Sequence, residues 1–434
     1  MHQLIGLLEV WVIIKVTRVD IMKNTIVYII LDAFRWDYIN EVDTPTIYNM
    51  SENGIHAEKL ISSAGFTQRS AMFTGTFADK TGNFTMFSYD PANSPFRFIK
   101  PFRYFLKLLD DYKLISSVLR HRIIYPLTKK YASHAPTAWI PFEVLHLIGV
   151  TEDVKPIYEP NAFGVESIFD IMHSENIKFE YLMFPVINGQ DETALEETLK
   201  RTEKEADIYL LQFSNSDELC HKYGSESKKR HDITAEMDHK ISLIQKRFEK
   251  YYDKVTFVLV GDHGMMDTSE IVDVQKIINS HANKQGLRHG KDYLLFLDST
   301  MARFWFFKDR AEKIIKQILN SSELLNKGFI ITNNIANKYR IPVPNRRYGD
   351  LIWWANPGIL IYPDYFHKFE KYNAMHGYDS YHDKMKGFAI IYSKDIEPKK
   401  IPEVKLIDIC PTICDLHGIR YPKENEGRSL LHDK

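Results

Sequence analysis

The sequence predicts an α/β fold with buried parallel strands, on two observations. Three nearly unbroken apolar runs, residues 25–31, 207–213 and 255–260, have the composition of strands covered on both faces. Each run leads within a few residues into carboxylate and imidazole side chains, and open α/β sheets place their ligand sites at strand carboxyl ends.

Taken in chain order, the first run ends in Asp32, a residue type that disfavours strands. Thr67 follows in GFTQRSAMFTG, at the start of a predicted helix. The run 207–213 leads into SDELCHKYG, which carries Asp217 and His221, and the run 255–260 leads into GDHGM, which carries Asp262 and His263. His376 stands in AMHGYD. Each residue alone has a plain reading. Asp32 fits a turn or helix cap, Thr67 a helix N-cap, Asp217 and His221 neighbours on a solvated helix turn, and His376 a surface loop. Together they are three carboxylates, three imidazoles and one hydroxyl, the inventory of a two-metal hydrolytic site built around a nucleophile.

The pieces YIILDAFRWDYI, GFTQRSAMFTG, DELCHKYG, LVGDHGM, MHGYD and DICPTICDLHGI with GRSL resemble, in wording and order, the type I phosphodiesterase/nucleotide pyrophosphatase branch of the alkaline phosphatase superfamily. The resemblance runs from about residue 24 to the end of the chain. It implies an alkaline-phosphatase-like sheet with helices on both faces and two zinc ions, other divalent ions being acceptable. Asp217, His221 and His376 would bind one zinc, and Asp32, Thr67, Asp262 and His263 the other. Thr67 would attack phosphorus in line and form a phosphothreonine intermediate that water then releases. Backbone N–H groups of the helix that begins near Thr67 would face the phosphoryl oxygens. The family's usual text after the nucleophile is replaced here by Thr67-Gln68-Arg69-Ser70 and Lys80-Thr81-Gly82-Asn83. Its phosphate-binding asparagine falls at Asn83, and Arg69 reads as a further phosphate contact or as an exposed helix arginine. Threonine as nucleophile and the absence of a CxPxR motif point away from the related phosphomonoesterases and sulfatases.

A chain of 434 residues can bury a large core, and residues 22–434 read as one catalytic domain with insertions. The net charge of −1 gives no global attraction to nucleic acid or anionic membrane, so no stable nucleic-acid complex is expected. Cys220, Cys410 and Cys414 are expected as buried free thiols. Residues 1–21 contain apolar stretches interrupted by Glu9, too short to span a bilayer and without a signal-peptide pattern. They read as an artefact of the assigned start or as a peripheral amphipathic helix. The expected location is the cytoplasm, with peripheral membrane association left open.

Two segments interrupt the catalytic frame. Residues 300–365, with ARFWFF, a helical stretch over 309–319 and DLIWW, suit the small cap that the family places over its site. Residues 95–160 are basic and aromatic: between Pro95 and Tyr131 there are nine Lys/Arg, two Asp and eight Phe/Tyr. Such a surface suits a polyanionic or ring-bearing ligand, with Arg97, Lys100 and Arg103 reading the substrate beyond its scissile phosphate. The plainer reading is a helical cap whose rings pack inward. The expected activity is hydrolysis of a phosphodiester or pyrophosphate bond in a small, nucleotide-containing substrate. The alternatives are a phosphotransferase that passes the group to an alcohol or sugar, and a catalytically silent nucleotide-binding protein.

Overall fold

The computed structural model describes residues 23–128, 138–151 and 155–432, so the expectations for residues 1–21 and for parts of the 95–160 insertion lie outside the described residues. The main sheet has seven strands: β1 (Asn24–Leu31), β2 (Ile55–Ile61), β3 (Phe179–Leu182), β4 (Ile208–Phe213), β5 (Lys254–Gly261), β6 (Gly387–Tyr392) and β7 (Lys399–Lys405). Their order is β7-β2-β6-β5-β1-β4-β3. Only β6 runs against its neighbours; the pairs β5-β1, β1-β4, β4-β3 and β7-β2 are parallel.

The unbroken apolar character of β1 follows from its central place. Side chains alternate across a strand, so Tyr28 and Ile30 enter a core shared with the helices Ile168–Ser174 and Ile409–His417. Val27, Ile29 and Leu31 enter the opposite core, against Met237, Ile241, Ile244 and Phe248 of the helix Lys229–Tyr251. Both faces of the strand are thus shut off from water, which is why the run reads as nearly solid hydrophobe. Cys410 and Cys414 are buried free thiols in the first core. The same long helix supplies Asp238, whose carboxylate accepts from the backbone N–H groups of Thr46 (3.1 Å) and Ile47 (2.8 Å) and so caps the helix Pro45–Glu52 from outside its own sequence.

A second, antiparallel sheet joins Tyr293–Leu297, Met301–Phe306, Leu351–Ala355 and Gly328–Ile330 in that order. The helix Asp309–Leu319 packs there because Ala311, Ile315, Ile318 and Leu319 form one apolar stripe. Arg303 is fully buried at the centre of this layer. Its Nε donates to Asp298 Oδ2 (2.6 Å), its Nη1 donates to the Phe87 carbonyl (2.9 Å), and its guanidinium lies over the Phe296 ring.

The basic, aromatic insertion is a string of short turns, among them Arg103–Lys107 and Lys113–Val118. It is pinned by Arg120, whose buried guanidinium donates to Asp110 Oδ1 (2.9 Å) and to the Ile140 carbonyl (2.9 Å). The expectation of inward-packed rings fails for most of them. Phe96 is buried, whereas Phe98, Phe102, Tyr104, Phe105 and Tyr112 are exposed. Helices of five and six residues offer too few inward positions to cover that many rings.

Replacing Arg303 by Ala leaves Asp298 buried and unpaired, a change expected to cost about 3–5 kcal/mol. Urea unfolding of the Arg303→Ala variant should show a correspondingly lower midpoint.

Candidate active site

The register of the parallel strands sets the site. Leu31 lies opposite both Phe213 and Gly261, so the residues that follow β1, β4 and β5 emerge level with one another. Asp32 and Asp262 are therefore neighbours. The turn after Asp32 is tight: Ala33 has φ 55°, a left-handed conformation unfavourable for a side-chain-bearing residue. That strain aims the Ala33 N–H at Asp262 Oδ1 (3.2 Å), which also accepts from the His263 N–H (3.0 Å). Glycine is required at 261, where a Cβ would sit 2.1 Å from the Phe34 carbonyl oxygen of that turn.

Asp217 and His221 lie one turn apart on the helix Asn215–Tyr223 and so share a face. His376 is delivered by a short ladder in which Ala374–Met375 pairs antiparallel with Met266–Asp267, directly after His263. As a result the His263 and His376 rings stack, with centroids 4.3 Å apart. The Ala374 carbonyl accepts from His221 Nδ1 (2.8 Å), which ties the third ligand segment to the same ladder. Beneath them Ala33, Cys220, Met265 and Ala374 form a small apolar floor to which each ligand-bearing segment contributes. Burial, aided by the Asp217 charge, pushes the Cys220 thiol up to about 12, so sulfur takes no part as thiolate.

Six side chains form two groups, Asp217 with His221 and His376, and Asp32 with Asp262 and His263, each with its ligand atoms within 4.8 Å of one another. Asp217 Oδ1 is buried without a hydrogen bond, although it lies 3.3 Å from His221 Nε2 and 3.7 Å from His376 Nε2. His263 Nε2 is 3.2 Å from Asp32 Oδ1. Because Nδ1 of His221 and Nδ1 of His263 face backbone carbonyls, the neutral rings turn lone pairs toward carboxylate oxygens. Acceptors that converge in this way need a cation between them, either protons or metal ions.

Without metal, protons take that place. Burial works against an imidazolium at His263, but Asp262 and Asp32 outweigh it and raise the group to about 10. Burial raises Asp262 to about 7, with the His263 charge opposing. At His221 burial is again outweighed, by Asp217, and the shift is upward. His376 is held well below its ordinary value by burial and by the His263 charge. At Asp217 burial is overcome by His221 and His376, and the carboxyl lies below the usual range.

Thr67 precedes the helix Gln68–Thr74 at the end of the loop that leaves β2. It occupies the N-cap position, but its hydroxyl does not cap. The buried Oγ1 donates to the Asn83 backbone carbonyl (2.6 Å), which brings Asn83 beside it. The preceding Phe66 ring packs edge-on against His376, with centroids 5.7 Å apart. Arg69 is not an exposed helix arginine: it is partly buried and donates to Gln212 Oε1 (3.2 Å). Gln212 Nε2 in turn donates to Asp32 Oδ2 (2.6 Å).

A family model described as type I phosphodiesterase/nucleotide pyrophosphatase matches residues 26–379. The chain belongs to this family. Ectonucleotide pyrophosphatase/phosphodiesterase family member 7 of Rattus norvegicus is 20% identical over 429 residues, covering 93% of this chain and 85% of the relative. Member 5 of Homo sapiens is 22% identical over 261 residues, covering 57% of this chain and 46% of its own. Among solved structures, human ectonucleotide pyrophosphatase/phosphodiesterase 5 matches with a TM-score of 0.67 at 16% identity, over 93% of this chain and 97% of that one. The murine counterpart, solved as an inactive variant in complex with AMP, matches with a TM-score of 0.65 at 15% identity, over 92% and 96% of the two chains. At these identities the structural likeness establishes the alkaline-phosphatase-like fold, and the family places the chain among phosphodiesterases and nucleotide pyrophosphatases.

Two further groups at the site were not singled out from sequence. Gln212 had a usable signal, being the one amide in the apolar strand Ile208–Phe213. His367 had none, yet its ring packs on Tyr372 (4.0 Å between centroids), which packs on His221 (4.5 Å). Asp364 Oδ2 lies 3.1 Å from His367 Nδ1 and fixes that ring.

Losing the Gln212 contact should free Asp32 to rotate. Gln212→Leu is expected to weaken the Asp32 group's hold on a divalent ion by about 10–100-fold, read by titration of metal-free protein. The proton-filled site has its own signature. Where folded-state values are raised, the folded chain holds more protons than the unfolded one, so stability falls as pH rises. The His263 contribution is complete below its ordinary 6.5 and is lost through about 10. His221 acts in the same direction. Between about pH 7 and 10 the melting temperature of metal-free protein should therefore fall relative to that of metal-loaded protein, in which imidazole lone pairs are already committed.

Proposed function

We propose that this chain hydrolyses phosphodiester or pyrophosphate bonds in nucleotides or nucleotide derivatives, with two zinc ions and a phosphothreonine formed on Thr67. Asp217, His221 and His376 would hold one ion, and Asp32, Asp262 and His263, with the Thr67 hydroxyl, the other. Nitrogen and oxygen donors without thiolate suit catalytic zinc, which keeps positions open for substrate. The ions would supply positive charge to the phosphoryl oxygens and make a hydroxyl acidic enough to react near neutral pH.

The observation that carries this reading is the pair of acceptor groups sharing one wall, the His263-His376 stack, with Phe66 pressing the Thr67 loop against that stack. Two charges held side by side match a phosphoryl group in displacement, where attacking and leaving oxygens both need stabilisation. Thr67 Oγ1 would bond to phosphorus as the bond to the leaving oxygen breaks, and water would then cleave the Thr67 ester to regenerate the hydroxyl. The Asn83 carbonyl holds the Thr67 side chain in one orientation by accepting its hydrogen. Arg69 and Gln212 keep Asp32 in place from behind. AMP bound to the murine relative supports a nucleotide as substrate.

The Thr67→Ala variant removes the attacking oxygen and leaves six ligand side chains. Metal content should be unchanged while turnover of a bis-aryl phosphate falls by at least about 10³-fold, and labelled substrate should mark Thr67 in the wild type alone. Retained turnover, or label on another residue, would refute the covalent route. Diesters should outrun monoesters in kcat/KM, and an added alcohol should not capture the group; efficient capture would make the protein a transferase.

A further inference from the structure

Eleven of the nineteen large apolar side chains that are exposed among the described residues fall between Phe98 and Leu127. Phe102, Tyr104, Phe105 and Leu108 are each 61–69% exposed, and Leu114 is 82% exposed. A soluble surface normally scatters such groups singly, and a concentration of this kind marks an interaction site. Four of the cations set among them, Arg97, Lys100, Lys113 and Arg122, are exposed and are not paired with acids among the described residues. The two aspartates of the segment are engaged, Asp110 with Arg120 and Asp111 with Lys368.

We infer that this face docks the protein onto an anionic lipid surface. Rings and aliphatic groups that project together, with basic side chains between them, match a bilayer interface, where apolar groups enter the acyl boundary and cations meet headgroups. The turns are too short and broken to form a groove for a peptide helix. A second copy of the face would set like charge against like charge. Residues 1–21 carry Glu9, Asp20, Lys15 and Arg18, so they bring no net negative charge to answer the patch. The near-neutral whole chain does not conflict with this, because screening limits each charge to about 10 Å and only the local excess is felt at a surface.

The face is coupled to the candidate active site. Lys368 Nζ donates to the Asp110 carbonyl (2.8 Å) and to Asp111 Oδ1 (2.9 Å), and it follows His367, which packs through Tyr372 on His221. Docking would therefore seat one wall of the site directly behind the membrane-facing layer.

The test is flotation of the full chain with vesicles of phosphatidylcholine alone or with about 30 mol% phosphatidylserine, at about 0.1 M and 0.5 M salt. Binding is expected on the anionic vesicles only and should weaken with salt. Two variants, Phe102→Ser with Phe105→Ser and Lys100→Glu with Arg122→Glu, should each bind at least about tenfold more weakly while keeping the wild-type melting temperature. The charge variant decides the matter if the apolar one fails to fold. Absence of wild-type binding, equal binding to neutral vesicles, or variants that bind like wild type would overturn the inference. So would a dimer in sedimentation that Phe102→Ser with Phe105→Ser disperses, since the face would then belong to a second copy.

Discussion

Everything at the carboxyl edge of the sheet depends on one electrostatic constraint: three carboxylates and three imidazoles are packed into two groups where burial limits their screening by water. An isolated buried carboxylate is expensive, and several together are tolerable only with compensating positive charge. The shifts run in opposite directions at Asp262 and Asp217, and at His263 and His376, because burial and neighbouring charges compete within the cluster. Divalent ions would resolve that conflict, each meeting the lone pairs that its own group turns inward. The strained turn at Ala33, the glycine at 261 and the ladder that stacks His376 on His263 are the backbone devices that hold the groups together against their repulsion.

Much of this was legible in the sequence because the central strands are buried on both faces and therefore unmistakably apolar. Their register then levels Asp32 with Asp262, so order along the chain translated directly into proximity. Asp217, His221 and His376 come together in space, as do Asp32, Asp262 and His263. Contacts that depend on tertiary fit were not legible. Arg69 read as either a phosphate contact or a solvated arginine, because helix position alone does not reveal Gln212 across the sheet edge. Thr67 read equally well as a cap, and only the fold shows its hydroxyl turned to Asn83 instead. The inward packing of the insertion's rings failed for a different reason: composition counts apolar residues but not the inward positions available to them.

The insertion also shows how net charge misleads. A value of −1 describes the far field, whereas between Phe98 and Leu127 cations stand among rings with almost no acid to balance them. Stability considerations alone would not maintain so much exposed hydrophobe, since the exposed part of each such group gains nothing on folding and favours aggregation. The Arg120-Asp110 pair that anchors this segment is buried and fully hydrogen-bonded, so the segment is held in a defined shape while its outer face stays unsatisfied.

His376 differs from the other candidate ligands in what holds it. Asp32 and Asp262 follow central strands directly, and Asp217 and His221 ride a helix that begins just after β4, so the main sheet positions all four. His376 sits on a turn whose Gly377, at φ 83°, offers its carbonyl to Trp354 Nε1 (2.9 Å), from a strand of the second sheet, and to Thr300 Oγ1 (2.9 Å), from the turn that joins that sheet's first two strands. A side chain at 377 would meet the Phe66 ring at 2.5 Å, so the same turn also sets the position of the residue before Thr67. Damage to the second sheet should therefore reach the site selectively. It would loosen the Asp217-His221-His376 group and the Thr67 loop first, while Asp32, Asp262 and His263 kept the support of the strand edge. The two candidate ion sites thus rest on different parts of the fold, and the stability of the second sheet bears on the site without contributing a candidate ligand of its own.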